Sequence, residues 1–359
     1  MRVESYTPPG FEIGVETQTA SGWRWLLNKM AIRSRYLVIG ILLLSVAPAF
    51  AVDVDRPDVE AFIESMVREH DFDRSGLRDT LRAAEVKESI LELIARPAEK
   101  TKSWGEYRVI FLTDERIDAG AAFWRDNRDM LERISHESGV PVEILVGIIG
   151  VETYFGRITG GHRVLDALVT LAFDYPPRAK FFRRELEEFL LLVREEAMAP
   201  SDAVGSYAGA MGRPQFMPSS YRAYAVDSTG DGKRDIWTSW ADVVGSVANY
   251  FVAHGWRTGE EVTTQATLSE LWRGPLPENV LKATDTLRSL SERGVIFSTE
   301  LPAESKGQLL TLEGGDGTEH WVGFHNFFVI TRYNRSVMYA LAVYQLGQEI
   351  ALEIKRGSS

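Results

Sequence analysis

The stretch that most constrains this chain is residues 141–156, PVEILVGIIGVETYFG, a nearly continuous apolar run with Glu152 near its end. A helix that is greasy on every side is stable only inside a core, and Pro141 suits the first helical position. Glu152 falls seven residues after Leu145, four after Ile148 and three after Ile149, so its carboxyl shares the most apolar face of that helix. A carboxyl there is costly to ionise, so its pKa is expected to rise and to keep it protonated near neutrality. That is the state a general acid needs. A buried glutamate paired with an arginine for structural reasons fits the same stretch, and the stretch alone leaves both readings open.

The N-terminus has a different character. Arg33-Ser34-Arg35 precedes the apolar YLVIGILLLSV, and Ala49-Phe50-Ala51 follows as an A-x-A site. A basic region, a short apolar run and small residues at the right spacing describe a cleavable export signal, and the run is short for a membrane span. Residues 1–51 therefore read as an N-terminal extension plus signal, with Met30 the expected true start. An uncleaved anchor is the competing reading. Cleavage after Ala51 would remove five basic and three acidic residues and move the net charge from −11 to −13, which argues against nucleic acid as a partner. No cysteine is present, so neither a disulfide framework nor a lipidated cysteine is possible. The expectation is an exported, soluble protein that owes its stability to its core.

Along the chain, 52–138 reads as a helical domain with amphipathic segments. Residues 101–112 are expected to be an extended aromatic connector, and 119–139 one long helix capped by Gly139. A core region follows over 139–257, with the helical stretch 165–196 split at Tyr175-Pro176-Pro177. Between 258 and 320, short strands surround one helix over 278–294, a small α/β insertion. Residues 321–352 return to the core and end in a helix. The fold class is mainly α (α+β), with one small β-rich inserted subdomain.

Two constellations carry chemistry. Residues 227–235, DSTGDGKRD, place oxygen side chains at alternate positions with glycine at the sixth, the first half of an EF-hand calcium loop. Asp227, Thr229 and Asp231 would offer side-chain oxygens, Lys233 its carbonyl, and Asp235 a direct or water-mediated contact. Position twelve is Thr238 rather than Glu, so Asp242 is the candidate closing ligand of a loop over 227–242. Ser239-x-x-Asp242 is equally a capping-box pattern. Such an ion would pin two helices, and no organic cofactor is expected. The second constellation is an aromatic and amide set, Tyr207, Gln215, Phe216, Tyr250, Tyr333, Asn334 and Tyr339, which suits sugar rings and their hydroxyls. HExxH, Walker and G-x-S-x-G motifs are absent, and His254 and His325 read as core or surface residues. Most glycosidases pair two carboxylates; Asp166 and Asp174 are nearest in sequence, yet neither stretch suggests a partner for Glu152. Substrate-assisted chemistry needs only one.

Six stretches occur in order: GVPVEILVGIIGVETYFGR, LDALVTLAFDYPPRA, GSYAGAMGRPQFMPSSY, DSTGDGKRDIW, VGSVANYFVAHGW and FHNFFVITRYN. With them the chain resembles the lytic murein transglycosylases of the membrane-bound lytic transglycosylase B family over about 55–350. The resemblance implies a lysozyme-like core domain, a helical domain wrapped on it and a small β-rich domain. It implies cleavage of the MurNAc–GlcNAc β-1,4 bond of peptidoglycan glycan strands with formation of 1,6-anhydroMurNAc, and other cell-wall enzymes as partners. It places the single catalytic acid on Glu152. Cleft positions fall on Ser206, Gln215, Tyr250, Tyr333, Asn334 and Tyr339, and outer groove positions on Tyr107, Tyr175 and Arg178. The calcium loop falls on Asp227 to Asp242, one residue longer than usual before Asp242, and Arg213-Pro214 replaces a smaller pair. Lipidated members carry a cysteine that this chain lacks, so the resemblance implies a soluble periplasmic form, a monomer, with peripheral membrane association as a variant of it. The competing readings are a lysozyme-type muramidase and a non-catalytic calcium-dependent peptidoglycan-binding protein.

Overall fold

A computed structural model describes residues 50–95, 102–273 and 275–357 of the chain. The expected export signal lies outside the described residues except for Phe50–Ala51. These form strand β1, antiparallel to β2 (Glu85–Val86). Between the two, α1 (Pro57–His70) and α2 (Arg74–Arg82) pack as a helical hairpin, and α3 (Glu88–Ile94) follows.

Two expectations fail next. Residues 104–108 are not an extended connector but a short helix, α4 (Trp104–Arg108). Ser103 and Glu106 form a complete capping box there, satisfying donors that a helix start leaves orphaned. The stretch 119–139 is likewise two helices, α5 (Asp114–Asp126) and α6 (Arg128–Ser138). Asn127 turns its Nδ2 back onto the carbonyl of Phe123 at 2.9 Å and adopts φ −120°, ψ 21°, which ends the first helix. Gly139 caps α6 in the left-handed conformation (φ 71°), as expected.

The centre is α7 (Val142–Thr153), nearly every residue of which is buried. Helices α5, α6 and α11 (Trp240–Ala253) pack on it, while α8 (Val164–Asp174) packs on α9 (Ala179–Glu195) and α10 (Pro218–Tyr224) bridges α9 to α11. Strands β3 (His162–Arg163) and β4 (Val204–Gly205) form a small antiparallel pair. Helices α8 and α9 are joined through a 3₁₀ turn at Pro176–Arg178, so the break at the prolines holds.

A five-stranded antiparallel sheet follows, from β5 (Thr263–Leu268), β6 (Asp285–Thr286), β7 (Val295–Phe297), β8 (Lys306–Glu313) and β9 (Thr318–Gly323), in the order β6-β8-β9-β5-β7. It has its own small core, in which Leu287, Leu290, Leu309, Val322 and Phe324 meet. Its helix is shorter than expected, α12 (Leu287–Glu292). Asn279 instead pairs its side-chain amide with both the carbonyl (2.8 Å) and the N–H (3.0 Å) of Thr311. Asp285–Thr286 pairs as β6, and Thr286 caps the shortened helix through Ser289 N–H. The sheet is tied to α4 by Glu319, which accepts from Trp104 Nε1 (3.2 Å) and Arg108 (2.9 Å).

The chain ends in α13 (His325–Tyr333) and α14 (Val337–Arg356). Helix α14 lies directly on α7, and glycines on both make this possible. A Cβ on Gly147 would stand 2.4 Å from the carbonyl oxygen of Val343, and one on Gly347 would stand 2.1 Å from that of Glu143. The two backbones touch where no side chain intervenes. Among the described residues no single helix is long and apolar enough to cross a membrane.

Candidate active site

Glu152 occupies the last turn of α7, and the chain turns away sharply behind it. Tyr154, Phe155 and Gly156 are all left-handed (φ 51°, 56° and 80°), a costly run for two non-glycine residues. It is held by Phe155 N–H on the carbonyl of Ile149 and by Thr153 Oγ1, which receives the N–H of Gly156 (3.2 Å). Thr153 also donates to the carbonyl of Arg213 at 3.0 Å, strapping the 206–217 segment to the end of α7.

That segment makes one wall of a cavity of about 330 Å³. Glu152, Ser206, Tyr207, Gln215, Phe216, Tyr250, Tyr333 and Asn334 all line it, so eight positions expected from the sequence converge. Among the described residues, Glu152 is the only acidic side chain in that lining, and no basic one joins it. Tyr339, a buried residue of α14, donates its hydroxyl to Oε1 of Glu152. Burial, then the adjacent Glu152 charge, push the Tyr339 and Tyr333 phenols well above their ordinary range, so both remain protonated donors.

The aromatic wall is fixed from behind. Tyr333 donates to the carbonyl of Pro214 (2.6 Å) and Tyr250 to that of Arg332 (2.7 Å). Their rings lie 4.8 Å apart, with Phe216 5.8 Å from each. Gln215 is held left-handed (φ 53°), with Nε2 donating to Gly212 (2.7 Å) and Thr159 (3.1 Å). The Ser206 hydroxyl accepts from Ala208 N–H (3.2 Å) and Ala210 N–H (3.1 Å). With both lone-pair directions used, what it has left to offer is its own proton. Arg213 stacks over Trp240 at 4.0 Å and donates to the carbonyl of Thr238 (2.8 Å), so the Arg-Pro pair ties the wall to the start of α11.

The cavity also takes in Met217 and Ser220, which are not among the expected site residues. Met217 and Ser220 arrive through α10, whose start is capped from another helix. Buried Glu185 of α9 accepts from Ser219 N–H (3.0 Å) and Ser219 Oγ (2.8 Å). Tyr107 is buried against Phe111 and Trp104. Tyr175 packs edge-on against Phe182, while Arg178 lies over Phe181 at 4.3 Å. None of these three lines the cavity. Asp166 and Asp174 are otherwise engaged: Asp166 is buried with Lys87 at 3.2 Å, and Asp174 accepts from Arg56 at 2.6 Å.

The acidic loop between α10 and α11 turns its oxygens onto its own backbone. Asp227 accepts from the N–H groups of Thr229, Gly230 and Gly232, and the Gly232 bond foremost holds its carboxyl below the usual range. Asp231 accepts from Lys233 N–H, and Asp235 from Trp237 and Thr238 N–H. Burial raises the Asp235 carboxyl, but the Thr238 hydroxyl foremost, then these N–H groups and the Arg213 charge, outweigh it and the net direction is down. Asp242 is fully buried, and its two oxygens take Ser228 N–H (2.8 Å) and Asp235 N–H (3.1 Å). It therefore staples the two ends of the loop. Ser239 caps α11 through Asp242 N–H, so half of the capping box coexists with that staple. Among the described residues no three acidic or histidine side chains come together as a metal site. The donor chemistry nevertheless fits a hard cation, because the side chains of Asp227, Thr229, Asp231 and Asp235 and the buried carboxylate of Asp242 all offer oxygen.

The Transglycosylase SLT domain family matches residues 55–348. The membrane-bound lytic murein transglycosylase B of Escherichia coli (strain K12) is 44% identical over 307 residues, 83% of this chain and 84% of that protein. Among solved structures, the catenated lytic transglycosylase SltB1 of Pseudomonas aeruginosa is 51% identical with a TM-score of 0.79, covering 83% of this chain and 98% of that one. The E. coli lytic transglycosylase Slt35 in complex with calcium is 44% identical with a TM-score of 0.77, over 85% and 96%. SltB3 of P. aeruginosa in complex with NAG-anhNAM-pentapeptide is 28% identical with a TM-score of 0.71, over 81% and 78%. These likenesses span the lysozyme-like α+β architecture as a whole and favour neither a muramidase nor a non-catalytic binder. The chain belongs to the Transglycosylase SLT domain family and is a lytic murein transglycosylase that cleaves peptidoglycan.

Proposed function

We propose that Glu152 performs both proton transfers of this cleavage. Protonated Glu152 donates to the glycosidic oxygen as the C1–O bond breaks, while the carbonyl oxygen of the MurNAc acetamido group closes onto C1. The carboxylate then takes the proton of the C6 hydroxyl as O6 attacks C1 and displaces the acetamido oxygen. The product is a 1,6-anhydro end, no water is consumed, and Glu152 is protonated again. The observation that carries this reading is a cavity whose lining holds one acidic side chain, with a tyrosine donor on it. Ser206, with only its proton to offer, suits the acetamido oxygen or Glu152. Asn334 orients the same groups, and Gln215, Tyr250 and Tyr333 shape the sugar subsite. Tyr107, Tyr175 and Arg178 serve as outer groove positions beyond the cavity.

Calcium would be held by Asp227, Thr229, Asp231 and the Lys233 carbonyl, with Asp235 and Asp242 at the closing end. It would supply stability at the junction of α10 and α11, and no chemistry. We place the enzyme in the periplasm as an exported monomer that meets glycan strands and other wall enzymes. The domain division follows 52–138, 139–257, 258–320 and 321–352.

Zymography of wild type and Glu152→Gln, with mass spectrometry of the digest, tests the assignment. The variant should clear no peptidoglycan, and wild-type fragments should end in anhydro sugars. Reducing ends one water heavier would favour a hydrolase instead, and an active variant would remove Glu152 from the chemistry.

A further inference from the structure

A second cavity, about 480 Å³, opens between the C-terminal end of α11, one face of α13 and the sheet. His254 lines it and stacks on Tyr250 of the catalytic cavity with ring centroids 4.1 Å apart, so a pair of rings forms part of the wall between the two spaces. Its charged lining is Arg257, Glu260, Lys282, Glu304, Lys306 and Arg332. Both acids are already paired, Glu260 with Arg257 at 3.3 Å and Glu304 with Arg288 at 2.7 Å. Lys282, Lys306 and Arg332 make no ion pair among the described residues. A protein of net charge −11 thus gathers three uncompensated cations around one concavity, a local field that attracts what the rest of the surface repels.

We propose that this cavity is a site for the carboxylate-bearing peptide stem of peptidoglycan. The proposal deepens the reading above and rests on its substrate. A stem attached to a MurNAc in the catalytic cavity, if extended over five residues, reaches roughly 17 Å. That is several times the spacing of the two stacked rings. Lys282 and Lys306 supply point charges for its carboxylates, and Arg332, beside Tyr333 in sequence, can take one in bidentate fashion. Stem recognition would then hold the strand in register while the sugars react.

The test uses free pentapeptide stem, with no sugar, titrated calorimetrically into the full chain. Saturable binding is expected in wild type and equally in Glu152→Gln, because the site does not depend on the catalytic acid. The double variant Lys282→Glu/Lys306→Glu should bind at least about tenfold more weakly, and Lys282→Arg/Lys306→Arg should bind as wild type does. Should charge reversal disturb the fold by circular dichroism, Lys282→Gln/Lys306→Gln replaces it with the same expectation. Undiminished binding by the charge-removed variant would overturn the proposal, as would inorganic phosphate competing as strongly as the stem. Failure of Glu152→Gln to abolish cleavage would sink the mechanism above while leaving this binding result standing.

Discussion

The hydroxyl of Tyr339 donates to Oε1 of Glu152 across the contact between α14 and α7. Tyr339 is buried and is itself fixed at the start of its helix, where its N–H is received by Ser336 Oγ at 3.2 Å. One carboxyl oxygen is thereby held in place by an element 187 residues away. Tyr339→Phe keeps the ring and removes the donor. The expected outcome is a kcat about 10- to 100-fold lower, the scale of a misplaced catalytic group, with KM little changed and the fold intact by circular dichroism. A kcat unaffected by the change would show that the carboxyl is held without Tyr339.

The same contact depends on two glycines. A methyl group on Gly347 has nowhere to go but into the backbone of Glu143, and one on Gly147 meets Val343. Gly347→Ala should destabilise the protein by about 1–3 kcal/mol, the usual cost of overpacking. Activity should fall further than the lost folded fraction explains, because α14 carries Tyr339. Denaturant melts and specific activity at saturating substrate, measured on one preparation, separate the two effects.

Much of this was legible in the chain because the informative features are local. An apolar helix ending in Glu152, prolines between α8 and α9, and Gly139 as a C-cap each declare themselves within a few residues. The failures have equally physical causes. Helix α4 was masked by β-branched and aromatic neighbours, although Ser103 and Glu106 spelled out its capping box. The break at Asn127 is a local side-chain choice that the periodicity of 119–139 hides. Residues 278–286 carry a helical composition, yet Asn279 and Thr286 are recruited by strands of the sheet. Met217 and Ser220 enter the cavity because Glu185, distant in sequence, caps their helix. No spacing rule announces that contact.

Glu185 also makes a pH-dependent prediction. Burial raises its pKa, against the opposing pull of its bonds from Ser219. A carboxyl whose folded pKa is raised binds its proton more tightly in the native state than in the unfolded chain. Its contribution is fully present below the ordinary glutamate value and is lost as pH rises through the folded value. Glu185→Gln should therefore gain stability relative to wild type as pH rises through that window, read by denaturant melts at a series of pH values. Glu185→Ala, which leaves the α10 N–H uncapped, should cost about 1–3 kcal/mol and raise KM through Met217 and Ser220. A wild type and Glu185→Gln pair with parallel pH profiles would show that Glu185 is not the titrating group.

Asp242 sits where the acidic loop meets α11, fully buried, holding Ser228 and Asp235 by their N–H groups. Calcium at a hundredfold excess over its Kd would stabilise the native state by about 2.7 kcal/mol, a rise of several degrees in Tm. Asp231→Ala removes an exposed donor and only one loop hydrogen bond, to Lys233 N–H, so its Tm in chelator should stay close to that of wild type while the calcium-induced rise disappears. Asp242→Ala differs in kind: it releases both ends of the loop and should lower Tm even in chelator. Catalysis with calcium removed should persist at temperatures where the fold survives, because the loop contributes no side chain to the cavity around Glu152. Loss of activity in chelator without loss of fold would assign the ion a part in the chemistry that its position does not suggest.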